Sequence, residues 1–500
     1  MPRIITDYLD STAREMPNKI AFTDDKREIT FNQLQTESYH IAMVLIEKGF
    51  WKQPILIFME KSVEVIAAFQ GVSYSGNFYS PVDIDMPSDR IQKIVSKLNP
   101  AAIITNKECK DVAQTIIDGA TIIVYEEALE ESFDTKRIRD CTERIIDTDA
   151  MYVLFTSGST GTPKGVIVSH RAAVDFTEWA AEELKFNEES IMGNQCPLYF
   201  SMSIYDIFET LKCGCTTHII PQRLFSQPTR LMQFLDDKKI NTLIWVPSIL
   251  MFISTLKALD RPHLKLLKNI FFGAEVLQTK HLNRWMDEYP QVRFVNIYGP
   301  TEVTDTCIFY DVKTKLKDDE IIPIGKACRN KECFLLDGDD LVTKAGNIGE
   351  ICVRGSGLAY GYYNDFERTQ ETFVQNPLNK AYDERIYRTG DLARYNEKGE
   401  LVYVGRKDYQ IKHRGHRIEL GEIEAVVSAL EGVEDCCCLY DKDKLRIVLF
   451  FSGAAEDKEV QEKLAERLPD YMVPGKRIKL DKMPKNINGK TNRQLLVEQI

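Results

Sequence analysis

The residues best suited to chemistry stand between Thr156 and Gly165, in the run TSGSTGTPKG. Three glycines (Gly158, Gly161, Gly165), five hydroxyls ahead of the proline (Thr156, Ser157, Ser159, Thr160, Thr162) and Lys164 fall within ten residues. Glycine lets backbone N–H groups close on an anion, hydroxyls add donors and a lysine adds charge. The composition is that of a phosphate-binding loop. It is not the P-loop of ATPases: no Gly-Lys-Ser/Thr follows four residues after a glycine, and Val166-Ile167-Val168 predicts a strand rather than a helix. A mobile Gly/Ser connection between two hairpin strands is the alternative. The lysine and the density of hydroxyls make it the weaker reading.

Further polar clusters recur along the chain. Asn296-Ile297-Tyr298-Gly299-Pro300-Thr301-Glu302 follows a strand pattern and carries an aromatic, a turn and a carboxylate. Tyr387-Arg388-Thr389-Gly390-Asp391-Leu392 sets a carboxylate just after a glycine. Gly405-Arg406-Lys407-Asp408 and Lys412-His413-Arg414-Gly415-His416-Arg417 are dense in cations, and Asn488-Gly489-Lys490 presents a lysine on a turn. Taken singly each has an ordinary explanation: a turn, a loop, a solvated charged face, a surface lysine.

Alternating strands and helices must position these clusters. Met151–Phe155 reads as the strand before the loop, and 172–184 as the helix beyond it. Pro54–Met59 and Thr242–Trp245 read as apolar strands, Ser62–Tyr74 and Ser88–Leu98 as helices, in the order expected of parallel sheets with crossover helices. Between Pro323 and Val404 the pattern changes to short strands with turn residues, a smaller β-rich subdomain. Beyond it the last ~90 residues suffice for a small α+β domain. The expected fold is thus α/β: a large N-terminal core over 1–407 with parallel sheets and a β-rich subdomain, then a small C-terminal domain over 408–500.

Composition narrows the partners. A net charge of −11 discourages a nucleic-acid backbone as ligand, so any phosphate bound should be small and held locally. No apolar run reaches the ~18 residues needed to span a bilayer, and the N-terminus is charged and amphipathic without the apolar core of a signal peptide. Among the 12 cysteines, Cys436, Cys437 and Cys438 are adjacent within an apparent strand, and Cys213 and Cys215 flank one glycine. Buried free thiols in a reducing, cytoplasmic compartment fit this placement better than disulfides or a metal site.

Together, in this order and spacing, the clusters resemble the adenylate-forming superfamily of acyl-CoA synthetases, luciferases and nonribosomal peptide synthetase adenylation domains. The resemblance runs from Ile29-Thr30-Phe31-Asn32-Gln33-Leu34 to Asn488-Gly489-Lys490. It is nearest to stand-alone amino acid adenylation domains and D-alanine–carrier-protein ligases, through Tyr-Gly-Pro-Thr-Glu, Gly355-Ser356-Gly357-Leu358-Ala359-Tyr360-Gly361-Tyr362, Leu468-Pro469-Asp470-Tyr471-Met472-Val473-Pro474 and Asn-Gly-Lys-Thr-Asn-Arg. It implies an ATP- and Mg²⁺-dependent enzyme. A carboxylate attacks the α-phosphorus of ATP, giving an acyl-adenylate and pyrophosphate, and a thiol then takes the acyl group. Lys490 matches the catalytic lysine of the first half. Lys164 and the loop from Thr156 through Ser157, Gly158, Ser159, Thr160 and Gly161 would hold phosphates, and Glu302 would help bind Mg²⁺. Asp391 would accept the ribose hydroxyls with Arg406 nearby, and Tyr298 would pack on adenine beside Gly273-Ala274-Glu275. Asn296 would read the base edge, and Gly299 and Thr301 complete the nucleotide set. The small domain would swing about a hinge at Asp408, bringing the segment around Gly415-His416 to line a thiol tunnel. The thiol would belong to a carrier-protein phosphopantetheine acting in trans, because no carrier module follows Lys490; coenzyme A is the rival. A non-catalytic binding relative is opposed by the joint retention of Lys490, Lys164, Glu302 and Asp391.

The acid pocket departs from the family. After Phe200 the family normally supplies an aspartate for the substrate's α-ammonium, whereas this chain has Ser201, and serine does not neutralise an ammonium. The same ungapped reading lines the pocket with Met202, Tyr205, Ile244, Ile270, Phe272, Ile297, Asp305 and Thr306. Asp305 is unusual in that apolar company. It could meet an amine elsewhere on the substrate, a hydroxyl or water, or be a hydrogen-bonded loop carboxylate. The substrate expected is a small carboxylic acid, amino-acid-like, with aryl and other non-α-amino acids as alternatives.

Overall fold

Local chemistry sets where elements begin. Thr30 Oγ1 accepts from Gln33 N while Gln33 Oε1 accepts from Thr30 N, a capping box that starts the helix Phe31–Glu47. Ser169 caps His170–Leu184 through Ala172 N in the same manner. The helix Val63–Tyr74 is buried at every position except Glu64, because apart from Gln70 its other residues are apolar or small. The computed structural model describes residues 2–117, 119–158, 162–260, 264–442, 444–485, 491–497 and 499–500.

The chain packs as two units. The first comprises Met1–Ile84, Leu98–Leu154 and Val166–Gly405. It holds a nine-stranded sheet in the order Lys326–Ala327, Ile308–Val312, Arg293–Tyr298, Asn269–Gly273, Thr242–Trp245, Ile191–Asn194, Thr216–Ile219, Ile20–Thr23 and Glu28–Thr30. The six strands from Arg293–Tyr298 to Ile20–Thr23 are parallel, and the strands at either edge run antiparallel. A seven-stranded sheet carries Ala150–Thr156 and Lys164–Ser169 as neighbours, so the Gly/Ser-rich loop joins adjacent strands. Its other strands include Phe78–Val82, Pro54–Phe58, Ala102–Thr105 and Thr121–Val124, all parallel. The third sheet, six-stranded, lies within residues 331–406 and is the expected β-rich subdomain. One large apolar core draws on all three sheets and on the helices Phe31–Glu47, Val63–Tyr74 and Ser203–Cys213. A second surrounds Pro247–Thr255 and Thr279–Glu288.

The second unit comprises Asp85–Lys97, Phe155–Gly165 and Arg406–Ile500. A hairpin, Gln410–His413 with His416–Glu419, precedes a three-stranded sheet of Val433–Asp441, Arg446–Gly453 and Lys476–Leu480. The helices Leu420–Ser428 and Asp457–Arg467 close over an apolar core containing Ile423, Val427, Val460 and Leu464. An ion pair explains why the segment around Arg90 packs here. The Arg90 guanidinium donates to Glu422 Oε1, and both side chains are buried. Glu422 Oε2 accepts in turn from Gly158 N at 3.3 Å. Burial pushes the Glu422 carboxyl up, and the Arg90 charge opposes that shift.

The resident cysteines are free thiols, most of them buried. Burial raises the thiols of Cys196, Cys328 and Cys438 well above the ordinary range, which leaves them unreactive. Among the described residues no helix is long and apolar enough to cross a membrane.

Removing one partner of a buried pair leaves an uncompensated charge, at a cost of about 3–5 kcal/mol. Glu422→Gln should therefore lower the denaturant midpoint of the transition that unfolds the C-terminal residues. An unchanged midpoint would show that the pair contributes nothing to that unit.

Candidate active site

In the first unit the site begins where Arg293–Tyr298 ends. Gly299 follows, and a Cβ there would stand 1.7 Å from the Asp305 carbonyl oxygen, so only glycine lets the chain fold back this tightly. A short 3₁₀ turn, Thr301–Val303, leads into Thr304 and Asp305, both left-handed at φ 56° and 64°. Such backbone is costly for non-glycine residues and persists where surrounding contacts hold it. Gly273 makes a second close approach: its Cβ would lie 2.4 Å from the Ile297 carbonyl. Ala274 beyond it is left-handed at φ 69°, and Glu275 accepts from Ser248 N at 3.0 Å.

Three buried carboxylates stand on or beside these turns. Glu302 is fully buried, and its Oε1 accepts from the Tyr362 hydroxyl at 2.8 Å. Asp391 is held on Arg385–Tyr395, and its Oδ2 accepts from the Tyr298 hydroxyl at 2.6 Å. Burial, followed by the Asp391 charge, lifts the Tyr298 phenol well above its ordinary range, so it stays a donor. Asn296 gives its amide to the Pro323 carbonyl at 2.9 Å. Asp305, the third, takes Ser201 Oγ at 2.8 Å on one oxygen and Thr306 Oγ1 at 3.0 Å on the other. Tyr205 donates to Thr306 Oγ1 at 2.8 Å, and Thr301 Oγ1 donates to Ser201 Oγ at 3.3 Å.

The sheet register sorts the expected apolar walls. Ile244 pairs with Phe271, and Gly273 with Ile297, which places Ile244, Phe271 and Ile297 on one face. That face belongs to the core shared with Met202 and Tyr205, against which Phe200 packs. Ile270 and Phe272 alternate to the opposite face and pack with Trp245 and Leu250 in the other core. The structure does not bring those two onto the Ile244 face. Phe271, outside the expected set, is there instead. Tyr362 and Tyr152 were also missed. The signal for Tyr152 is a lone hydroxyl within the otherwise apolar run Met151–Phe155.

The second unit holds the loop and the expected hinge. Ser157 Oγ donates to the Arg417 carbonyl at 2.6 Å, the Thr156 hydroxyl is buried without a partner, and Lys164 is buried at the start of its strand. Ser159, Thr160, Gly161 and the catalytic candidate Lys490 lie outside the described residues. Arg406 grips Asp408 bidentately, at 2.7 and 2.8 Å. Burial disfavours the Asp408 carboxylate, but the Arg406 guanidinium outweighs it and holds the group below its ordinary pKa. Arg414 and Gly415, at φ 52° and 80°, form the two-residue turn of the hairpin. His416 stacks on Tyr471 at 3.5 Å between centroids.

Residues 9–363 match the family described as AMP-binding enzyme, and residues 422–490 match the AMP-binding enzyme C-terminal domain. The chain belongs to this family of adenylate-forming enzymes and is an AMP-forming ligase. It is 28% identical to tyrocidine synthase 1 of Brevibacillus parabrevis over 99% of its own length and 45% of that protein's. The chain thus spans less than half of that synthase. It is 30% identical to zwittermicin A synthase ZmaJ of Bacillus cereus, covering 99% of this chain and 95% of that one. In fold it is similar to holo-PA1221, an NRPS protein containing adenylation and PCP domains, with a TM-score of 0.84, 24% identity, and coverage of 100% of this chain and 84% of the other.

Near the acid pocket a further buried acid offers a test. Asp206, on Ser203–Cys213, accepts from Asn194 at 2.6 Å. Burial raises its pKa to about 7, against the Asn194 hydrogen bond and the Lys61 charge. The folded protein therefore holds a proton that the unfolded chain releases. This contribution is fully present below pH 3.8 and is lost as pH rises through about 7. Asp206→Asn should gain stability relative to the unsubstituted protein as pH rises from 5 to 7, read from paired thermal melts. A constant difference across that range would mean Asp206 keeps an ordinary pKa.

Proposed function

We propose that the protein adenylates a small carboxylic acid with ATP and transfers the acyl group to a phosphopantetheine thiol of a carrier protein acting in trans. The observation that carries this reading is the Tyr298–Asp391 hydrogen bond beside the turn that buries Glu302. An aromatic ring, a ribose-binding carboxylate and a metal-binding carboxylate then stand in one unit, drawn from segments 93 residues apart. Asp391 would accept the ribose hydroxyls, Tyr298 would pack on the base, and Asn296 would read its edge. Among the described residues no three His, Cys, Asp or Glu side chains gather around a metal. Mg²⁺ keeps several waters and leans on substrate phosphates, needing only one or two carboxylates, so Glu302 fits it. The ion supplies charge neutralisation for phosphates approached by an anion.

Lys490 serves the same end, touching carboxylate and phosphate oxygens as the acid attacks the α-phosphorus, while Lys164 and the loop hydroxyls hold the outgoing pyrophosphate. In the second half the small domain turns about Asp408, Lys490 withdraws and the Gly415 turn borders the path of the thiol. The carrier reading is supported by the motifs shared with adenylation domains of peptide synthetases; coenzyme A is the acceptor to be compared. Free buried thiols support a cytoplasmic setting.

The half-reactions should separate. Lys490→Ala should cut acid-dependent ATP–pyrophosphate exchange at least a hundredfold, yet a supplied acyl-adenylate should still acylate the acceptor. Asp408→Pro fixes φ at the hinge and should do the reverse. Equal loss of both halves in both variants would contradict the alternation.

A further inference from the structure

The motif Cys213-Gly214-Cys215 plays no part in the adenylation chemistry. Cys213 ends the helix Ser203–Cys213, and Gly214 caps it in the left-handed region at φ 68° and ψ 26°. The Gly214 N–H donates to the Thr210 carbonyl at 3.1 Å, and a Cβ at Gly214 would stand 2.7 Å from Met16 Sδ, so the turn is tightly held. A left-handed central residue brings the flanking Cα atoms to roughly 5.5 Å, inside the range that a disulfide spans. The two thiols hydrogen-bond each other. Both are free; Cys215 is buried and Cys213 is partly exposed.

The surroundings make the two sulfurs unequal. Cys213 Sγ lies 3.6 Å from Oε2 of Glu209, one turn back on the same helix. Glu209 is fully buried, and its Oε1 has no hydrogen-bond partner. Burial, then the Cys213 charge, pushes this carboxyl well up, so it keeps a proton to donate to a Cys213 thiolate. The Cys215 hydrogen bond pulls the Cys213 thiol below its ordinary pKa against burial, and Lys212 and Glu209 add to the pull. Burial and Cys213 push Cys215 the other way, and its Sγ lies 3.3 Å from the Asn187 carbonyl oxygen. Lys19 and Glu178 are the other charges facing the pair. Glu178, on His170–Leu184, is paired with Lys212 and also takes the Tyr8 hydroxyl at 2.7 Å. Among the described residues no three His, Cys, Asp or Glu side chains gather here around a metal.

The geometry points to Cys213-Gly214-Cys215 as a reversible dithiol site for peroxides, with Cys213 attacking, Cys215 resolving and Glu209 as the positioning residue on the Cys213 sulfur. The Cys213 thiolate attacks one oxygen of hydrogen peroxide and the O–O bond breaks. The departing hydroxide takes up the thiol's proton as water, and Cys213 becomes a sulfenic acid. The Cys215 sulfur then attacks the Cys213 sulfur, the S–O bond breaks, and the Cys215 proton leaves with the hydroxyl as a second water. Two thiols thus lose two electrons to form one disulfide, and one peroxide gains them to form two waters. A small thiol returns the pair to the reduced state by exchange. The site is independent of the adenylation reading.

The test exposes the reduced full chain to hydrogen peroxide, alkylates the remaining thiols and reads every cysteine peptide by mass spectrometry. The peptide carrying both thiols should become lighter by two hydrogens and escape alkylation, about tenfold faster than any other cysteine is modified. Dithiothreitol should return it to the alkylatable form. Cys215→Ser should abolish the bridge and leave Cys213 as a sulfenic acid trapped by dimedone, whereas Cys213→Ser should leave Cys215 unmodified. Glu209→Leu should move the pH profile of Cys213 alkylation to higher pH, and Glu209→Gln, which keeps a donor, should hold it near that of the unsubstituted protein. A purely structural Glu209 would leave the profile alone and shift only the melting temperature, which overturns its positioning role. Oxidation of the unsubstituted protein at other cysteines equally fast, or of Cys213 to the sulfinic acid with no bridge to Cys215, overturns the inference.

Discussion

The close approach at Gly299 is the constraint on which the first unit's site depends. With the Asp305 carbonyl 1.7 Å from any Cβ at that position, a single methyl group would push the turn open. Because the chain folds back so sharply, four neighbours are fixed at once. Tyr298 ends its strand under Asp391, Glu302 is turned inward to Tyr362, and Asp305 and Thr306 face Ser201 and Tyr205. The two left-handed residues, Thr304 and Asp305, are the strain this geometry imposes, about 1–3 kcal/mol each. Strain of this size is held only where the surrounding packing over-determines it, and Val303, Cys307 and Ile308 are buried on either side.

Charge burial gives the site its direction. Glu302, Asp305 and Asp391 are all withdrawn from water, and each is met by a hydroxyl: Tyr362 for Glu302, Ser201 and Thr306 for Asp305, Tyr298 for Asp391. These hydroxyls orient the carboxylates. In the second unit the balance is different, since Asp408 and Glu422 are met by guanidinium groups from Arg406 and Arg90.

Much of this was legible in the chain because the motifs combine special backbone with chemistry. Tyr298-Gly299-Pro300-Thr301-Glu302 announces both its turn and its carboxylate, and the structure brings Ser201 and Asp305, 104 residues apart, into contact. The adenylate-forming resemblance read from those motifs is the family shown by both family matches. Other features carry no local signal. The Arg90–Glu422 pair joins residues 332 apart and is built by tertiary packing alone. Ile270 and Phe272 lie in a run that is apolar on both faces, so the sequence shows a buried strand but not which residues look toward the pocket. Pro247–Thr255 is apolar nearly throughout and lacks the periodicity that marks a helix, while Lys476–Leu480 carries three cations in five residues and shows no strand alternation before it pairs with Arg446–Gly453.

The central claim is that a carboxylate oxygen attacks the α-phosphorus of ATP. The most direct measurement follows that oxygen. The preferred acid, labelled with ¹⁸O in its carboxyl group, is incubated with ATP, Mg²⁺, enzyme and the thiol acceptor, and the AMP released is weighed by mass spectrometry. Attack on the α-phosphorus and expulsion of pyrophosphate, followed by acyl transfer to the thiol, leave one carboxyl oxygen on AMP for each acyl group transferred. The account predicts AMP carrying one ¹⁸O in step with thioester formation. Unlabelled AMP, or ADP and phosphate as the nucleotide products, would contradict it.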